Sequence, residues 1–123
     1  MSQTNERNKK AAVAFLKAAA AGRPRAAAKK AFAPGAVHHN PWFPAGMDAL
    51  IDAMEAAPKK TCFVQHAVAE GDLVAVHSHV AKTQADRGFA VVHLFRFRRG
   101  KVVEFWDVGL EVPKDSPNAD GVF

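Results

Sequence analysis

With one cysteine in 123 residues, Cys62, the chain can form no internal disulfide and lacks every zinc-binding pattern built on cysteine pairs. A lone thiol fits a reducing compartment, so the cytoplasm is the expected location. The chain also lacks an apolar run of bilayer length: AAVAFLKAAAAG is interrupted by Lys17 and falls short of the ~20 residues a spanning helix needs. Its polar start, MSQTNERNKK, predicts neither signal peptide nor membrane anchor. A basic platform for nucleic acid is missing as well. The net charge is +5, but the cations are scattered over Lys9, Lys10 and Lys17, Arg23 to Lys30, Lys59 and Lys60, and the Arg98-Arg99 turn. No aromatic residues interleave with them as base stacking requires, so neither nucleic acid nor a membrane is an expected partner. No repeat or linker divides the chain, which leaves one domain over residues 1–123, with 49% hydrophobic residues to build its core.

The residues that are present fall into two halves. Thr4 or Asn5 can cap a helix that runs through Val13, Phe15 and Leu16 to Gly22; Pro24 starts a second helix carrying Ala28, Ala31 and Phe32 to the Pro34-Gly35 break. Met47, Leu50, Ile51 and Met54 recur at helical spacing before Pro58, a stripe that reads as core. From Thr61 the pattern alternates, broken at Glu70-Gly71-Asp72, Asp86-Arg87-Gly88 and Arg98-Arg99-Gly100. Four antiparallel strands are expected near 61–69, 73–83, 89–98 and 101–111. Helices followed by a strand meander predict an α+β domain with a curved sheet over the helices.

Period-two alternation sorts the strands by face. Ala75, His77 and His79 oppose Val74, Val76, Ser78 and Val80; Phe89, Val91, His93, Phe95 and Phe97 oppose Val92, Leu94 and Arg96; Val103, Phe105 and Asp107 oppose Val102, Glu104, Trp106 and Val108. Asp107 carries the most information, because FWDVG puts a carboxylate inside an apolar strand, where ionisation is costly unless paired. Such a group is a candidate general acid or base; it is equally consistent with a strand-end Asp bonded to a loop. His77 and His79 have the His-x-His spacing by which a strand can present two imidazoles to one metal, a weak signal in a chain with six histidines. Cys62 reads as a small core residue and His66 as surface or interface. HHNP, residues 38–41, places two histidines in an extended segment before a proline, one ring facing in and one out.

HHNP before a helix, AEGDLVAVHSHV, GFAVVHLFRFRRGKVVEFWDV and the terminal SPNADGVF together resemble the SnoaL-like branch of the nuclear-transport-factor-like superfamily. The resemblance implies a cone-shaped α+β barrel enclosing a pocket, commonly a homodimer through the outer sheet face, and acid/base chemistry on an enolisable carbonyl without a cofactor. It assigns the acid/base aspartate to Asp107 and a partner histidine to His39, with His39 pointing into the cone and His38 toward the rim. His77, His79, His93, Phe95, Phe105, Trp106 and Trp42 would contact the ligand, and no metal is assigned. The chain departs from the family pattern at Phe105, where a histidine is usual, and at His93, where an aspartate is usual.

Three functions follow as expectations. The first is a cofactor-independent isomerase, cyclase or lyase acting on a small, mainly apolar carbonyl compound through Asp107 and His39. The second is a non-catalytic protein binding a small hydrophobic molecule, and the third a metal site on His77 and His79. A homodimer is expected on the face bearing Val74, Val76, Val80, Val92 and Leu94.

Overall fold

The computed structural model describes residues 3–123; Met1 and Ser2 of the expected domain lie outside the described residues. Helices α1 (Gln3–Ala20), α2 (Pro24–Ala31) and α3 (Met47–Ala56) pack on a sheet of β1 (Phe32–His38), β2 (Thr61–Glu70), β3 (Leu73–Ala81), β4 (Phe89–Arg98) and β5 (Lys101–Glu111), in the order β1-β5-β4-β3-β2. The β2 to β5 meander is antiparallel, and β1 joins β5 in parallel, giving the expected α+β class with a mostly antiparallel curved sheet. The β4–β5 hairpin turns on Arg99 (φ 52°) and Gly100 (φ 79°), the paired positive φ angles that a tight turn between right-twisted strands needs. Among the described residues no helix is long and apolar enough to cross a membrane.

Two expectations change at the start of the chain. Helix α1 is already formed at Gln3, so Thr4 and Asn5 lie in its first turn rather than before it. Helix α2 stops at Ala31, and Phe32 opens a fifth strand that the alternation did not reveal. FAPGAVH hides its strand character because β1 advances five positions, Phe32 to Val37, while β5 advances two, Val102 to Glu104. The Pro34-Gly35 step falls in that irregularity, at the sheet edge, where a missing N–H is tolerated.

The inner face carries Cys62 of β2, Val74 and Val76 of β3, Phe95 and Phe97 of β4 and Phe105 of β5, buried against Ala12, Phe15, Leu16, Leu50 and Ile51 of the helices. Phe15, Phe32, Phe95 and Phe105 meet with ring centroids 4.8–6.2 Å apart, mostly edge to face. Val102 is fully buried on the same face as Phe105 rather than opposite it, because β5 gains one residue, Val103, opposite the Arg96-Phe97 step. Val74, Val76 and Val80 therefore belong to the interior and cannot form an outer dimer face. The outer face has its own apolar residues, among them the exposed Val68, Val92, Val108 and Leu110.

Candidate functional site

A pocket of about 230 Å³ lies between the sheet and the helices. Phe15, Leu16, Ala19 and Ala20 of α1, Met54 of α3, Cys62, Val80, Phe89 and Val91 make its walls, and His93 and Asp107 are its interior polar groups. The sheet register brings those two together, since His93 of β4 stands directly opposite Asp107 of β5. Directly opposed residues of an antiparallel pair have Cα atoms about 4.5–5.5 Å apart, so both side chains rise side by side on the inner face.

Their bonding is incomplete. Asp107 Oδ2 accepts a hydrogen bond from Asn40 Nδ2 at 3.1 Å, while Oδ1 is buried without a hydrogen-bond partner among the described residues. His93 Nδ1 is buried and unpartnered too, and its ring stacks on Phe105 at 5.6 Å with an interplanar angle of 18°. Burial pushes the His93 imidazole down to about 4, outweighing the nearby Asp107 carboxylate, which pulls it up. At neutral pH the ring is uncharged and keeps one N–H to donate and one lone pair to accept. Buried polar atoms without partners are rare in folded proteins, and two of them on neighbouring residues of one pocket wall mark a place where a small local shift would let a ligand's polar group be held.

The HHNP segment divides between the two faces of the sheet, but not as expected. His38 is the buried ring: its Nε2 lies 2.9 Å from the Pro44 carbonyl, and its Nδ1 accepts the Asn40 N–H at 3.0 Å. His39 does not enter the cone. It lies on the outer face, with Nε2 2.6 Å from Glu104 Oε2 and its ring stacked on Trp106 at 5.0 Å. Asn40 is the residue that reaches Asp107, and it is the site residue that sequence reasoning missed. The signal was available in HHNP itself, since alternation that turns His39 outward turns its successor inward.

Other expected contacts also move. His77 and His79 occupy the outer face: His77 pairs with His66, Nδ1 to Nδ1 at 3.2 Å, across a bulge at Gln65, while His79 Nε2 faces the carbonyls of Asp86 and Arg87 at 3.0 and 2.9 Å. The two rings thus have separate hydrogen-bond partners while both pack against Phe123, and among the described residues no three His, Cys, Asp or Glu side chains converge on one metal position. Trp106 is on the outer face, with the Arg96 guanidinium 5.8 Å from its ring centre, and Trp42 is 86% exposed. Phe95 and Phe105 are fully buried core residues that support the His93 side of the pocket from below. Cys62 is buried in the pocket wall, where burial pushes its thiol up.

The model of the SnoaL-like domain matches residues 12–105, more than three quarters of the chain. The chain belongs to the SnoaL-like family. Its fold recurs in a candidate SnoaL-like polyketide cyclase of Jannaschia sp. CCS1, at 18% identity and a TM-score of 0.72 over 89% of each chain. A candidate ketosteroid isomerase of Kribbella flavida DSM 17836 is 18% identical over 93% of this chain and 85% of its own, with a TM-score of 0.70. An NTF-2-like protein of unknown function from Burkholderia xenovorans LB400 is 24% identical over 91% and 88%, with a TM-score of 0.72. At these identities the likeness is one of fold. Among curated proteins none matches. In this SnoaL-like chain the His93–Asp107 pair, with Asn40 behind it, is the polar centre of the pocket.

Proposed function

We propose that this SnoaL-like protein is a cofactor-independent isomerase, cyclase or lyase that moves a proton alpha to the carbonyl of a small, mainly apolar compound. The observation that carries this reading is the His93–Asp107 cross-strand pair in the wall of an apolar pocket, with Asp107 Oδ1 and His93 Nδ1 both buried and unpartnered among the described residues. Asn40 fixes one carboxylate oxygen and leaves the other to act. In the proposed step Asp107 Oδ1 takes the proton from the alpha carbon, and the C–H electron pair becomes the C=C bond of an enolate. The negative charge gathers on the carbonyl oxygen, where the N–H of neutral His93 donates to it. Return of the proton at another carbon gives an isomerase; attack of the enolate on a second carbonyl gives a cyclase. His93 thus takes the role that the resemblance gave to His39.

The pocket limits the substrate. Its volume of about 230 Å³ lies below the usual ~300 to 1,000 Å³ of drug-sized sites, which favours a compact or slender molecule. The test needs no natural substrate: deuterium exchange at the alpha carbon of a small methyl ketone, followed by NMR, reports enolisation directly. Exchange accelerated by the protein and lost in Asp107→Asn, with folding intact, supports the reading. Binding of the ketone without accelerated exchange makes the pocket a binding site instead.

We also propose that two copies pair through the outer face around Val68, Val92, Val108 and Leu110, whose exposed apolar side chains sit on three different strands. Light scattering would then give a dimer mass for the wild type and a monomer mass for Val108→Glu.

A further inference from the structure

We infer that the substrate is an anion, a slender keto acid whose carboxylate is held by Lys60 at one end of the pocket while its carbonyl meets His93 and Asp107 at the other. Lys60 is the cation in the pocket wall, and it is partly buried. Its place is fixed from both ends: its backbone N–H donates to the Ala20 carbonyl at 2.7 Å, and its Nζ stands 5.9 Å from the centre of the Phe89 ring. Among the described residues no carboxylate pairs with it. Its Nζ lies over Phe89, a pocket-lining residue that is 42% exposed, so the cation stands where the cavity meets solvent.

The two polar ends of the pocket are well separated. Phe89 and His93 are on the same strand and the same face, four residues apart, which is about 14 Å of backbone at 3.4 Å per residue. Asp107, the carboxylate of the wall, is opposite His93 and so at the end away from Lys60. It repels a second carboxylate, and Lys60 attracts one, so the pair orients an acid in a single direction with its other end over the reacting groups. Lys17 and Lys59 add positive charge on the same side: Lys17 lines a neighbouring groove together with Lys60 and Cys62, and the Lys59 side chain packs beside Gly22. Neither has an ion-pair partner among the described residues.

This inference rests on the pocket reading above, and the experiment separates the two. The probes are an oxoheptanoate bearing a terminal methyl ketone and the corresponding oxoheptanamide, equal in size and different in charge. Backbone-amide NMR shifts at His93 and Asp107 report entry to the pocket and give the affinities. The carboxylate should bind roughly tenfold more tightly than the amide, the scale of one hydrogen bond to a charged group. Lys60→Met should abolish that preference, and Lys29→Met, which removes the same charge from the exposed side of α2, should preserve it. If the amide binds as well as the acid, or Lys60→Met keeps the preference, the inference is overturned while the pocket reading stands. If neither probe shifts His93 or Asp107, both fall.

Discussion

The two faces of β4 and β5 carry nearly the same chemistry in opposite settings. Outside, Glu104 is satisfied several times over: His39 lies 2.6 Å from one oxygen, Arg96 donates to the other at 3.0 Å, and both partners hold its carboxyl below the usual carboxylate range, His39 most. Arg96 in turn makes two bonds to Asp72. Three residues along β5, Asp107 has one bond from Asn40 and an oxygen left over, beside an uncharged histidine. A saturated carboxylate in water has no capacity left for a substrate. A half-satisfied one in an apolar pocket does, and this contrast locates the candidate chemistry better than the count of charged residues on each face.

The sharpest way to break the comparison is to neutralise each carboxylate in turn. Asp107→Asn should reduce alpha-deuterium exchange by at least about 100-fold, the lower range for a positioned general base. Glu104→Gln should leave the exchange rate within about twofold, as expected for a surface change. Equal losses in both variants would show that the inner carboxylate has no special role.

The next effect concerns His93. Folding lowers its pKa to about 4 from the ordinary 6.5, so in that window the unfolded chain binds more protons than the folded one. The stability that depends on the neutral ring is fully present above about pH 6.5 and is lost by roughly 3 kcal/mol as the pH falls to about 4. Urea unfolding of the wild type against His93→Phe across this range should show the wild type losing more stability; parallel curves would mean that the ring is not buried neutral. The smallest effect separates neighbours in the sequence. Asn40→Ala, which removes one hydrogen bond from Asp107, should slow exchange by about tenfold, or ~1.4 kcal/mol, whereas His39→Ala should change it little. The reverse order would restore His39 as the partner of Asp107.

Much of this architecture was legible in the chain. The strand expected at 101–111 is the one observed, and that at 89–98 likewise, because strict alternation is bounded by turns whose backbone suits Gly and its neighbours. Asp107 stood out for the same reason, as a carboxylate in phase with Phe105. The alternation failed where the ladder is irregular. Val102 was placed on the face opposite Phe105 because the extra residue Val103 cannot be seen without its partner strand, and β1 was missed because its pairing skips residues.

The sequence by itself determined which residues could share a face, since side chains alternate along any strand whatever it pairs with. It therefore determined that His93 keeps company with Phe95, and Asp107 with Phe105. Only the tertiary structure decided which face became the pocket, and that His93 would stand across from Asp107 with Asn40, not His39, behind it. Those choices depend on register between strands and on how β1 delivers the HHNP turn to the edge of β5. Register is settled by packing the whole inner face against α1 and α3 at once, and no local stretch of sequence contains that information.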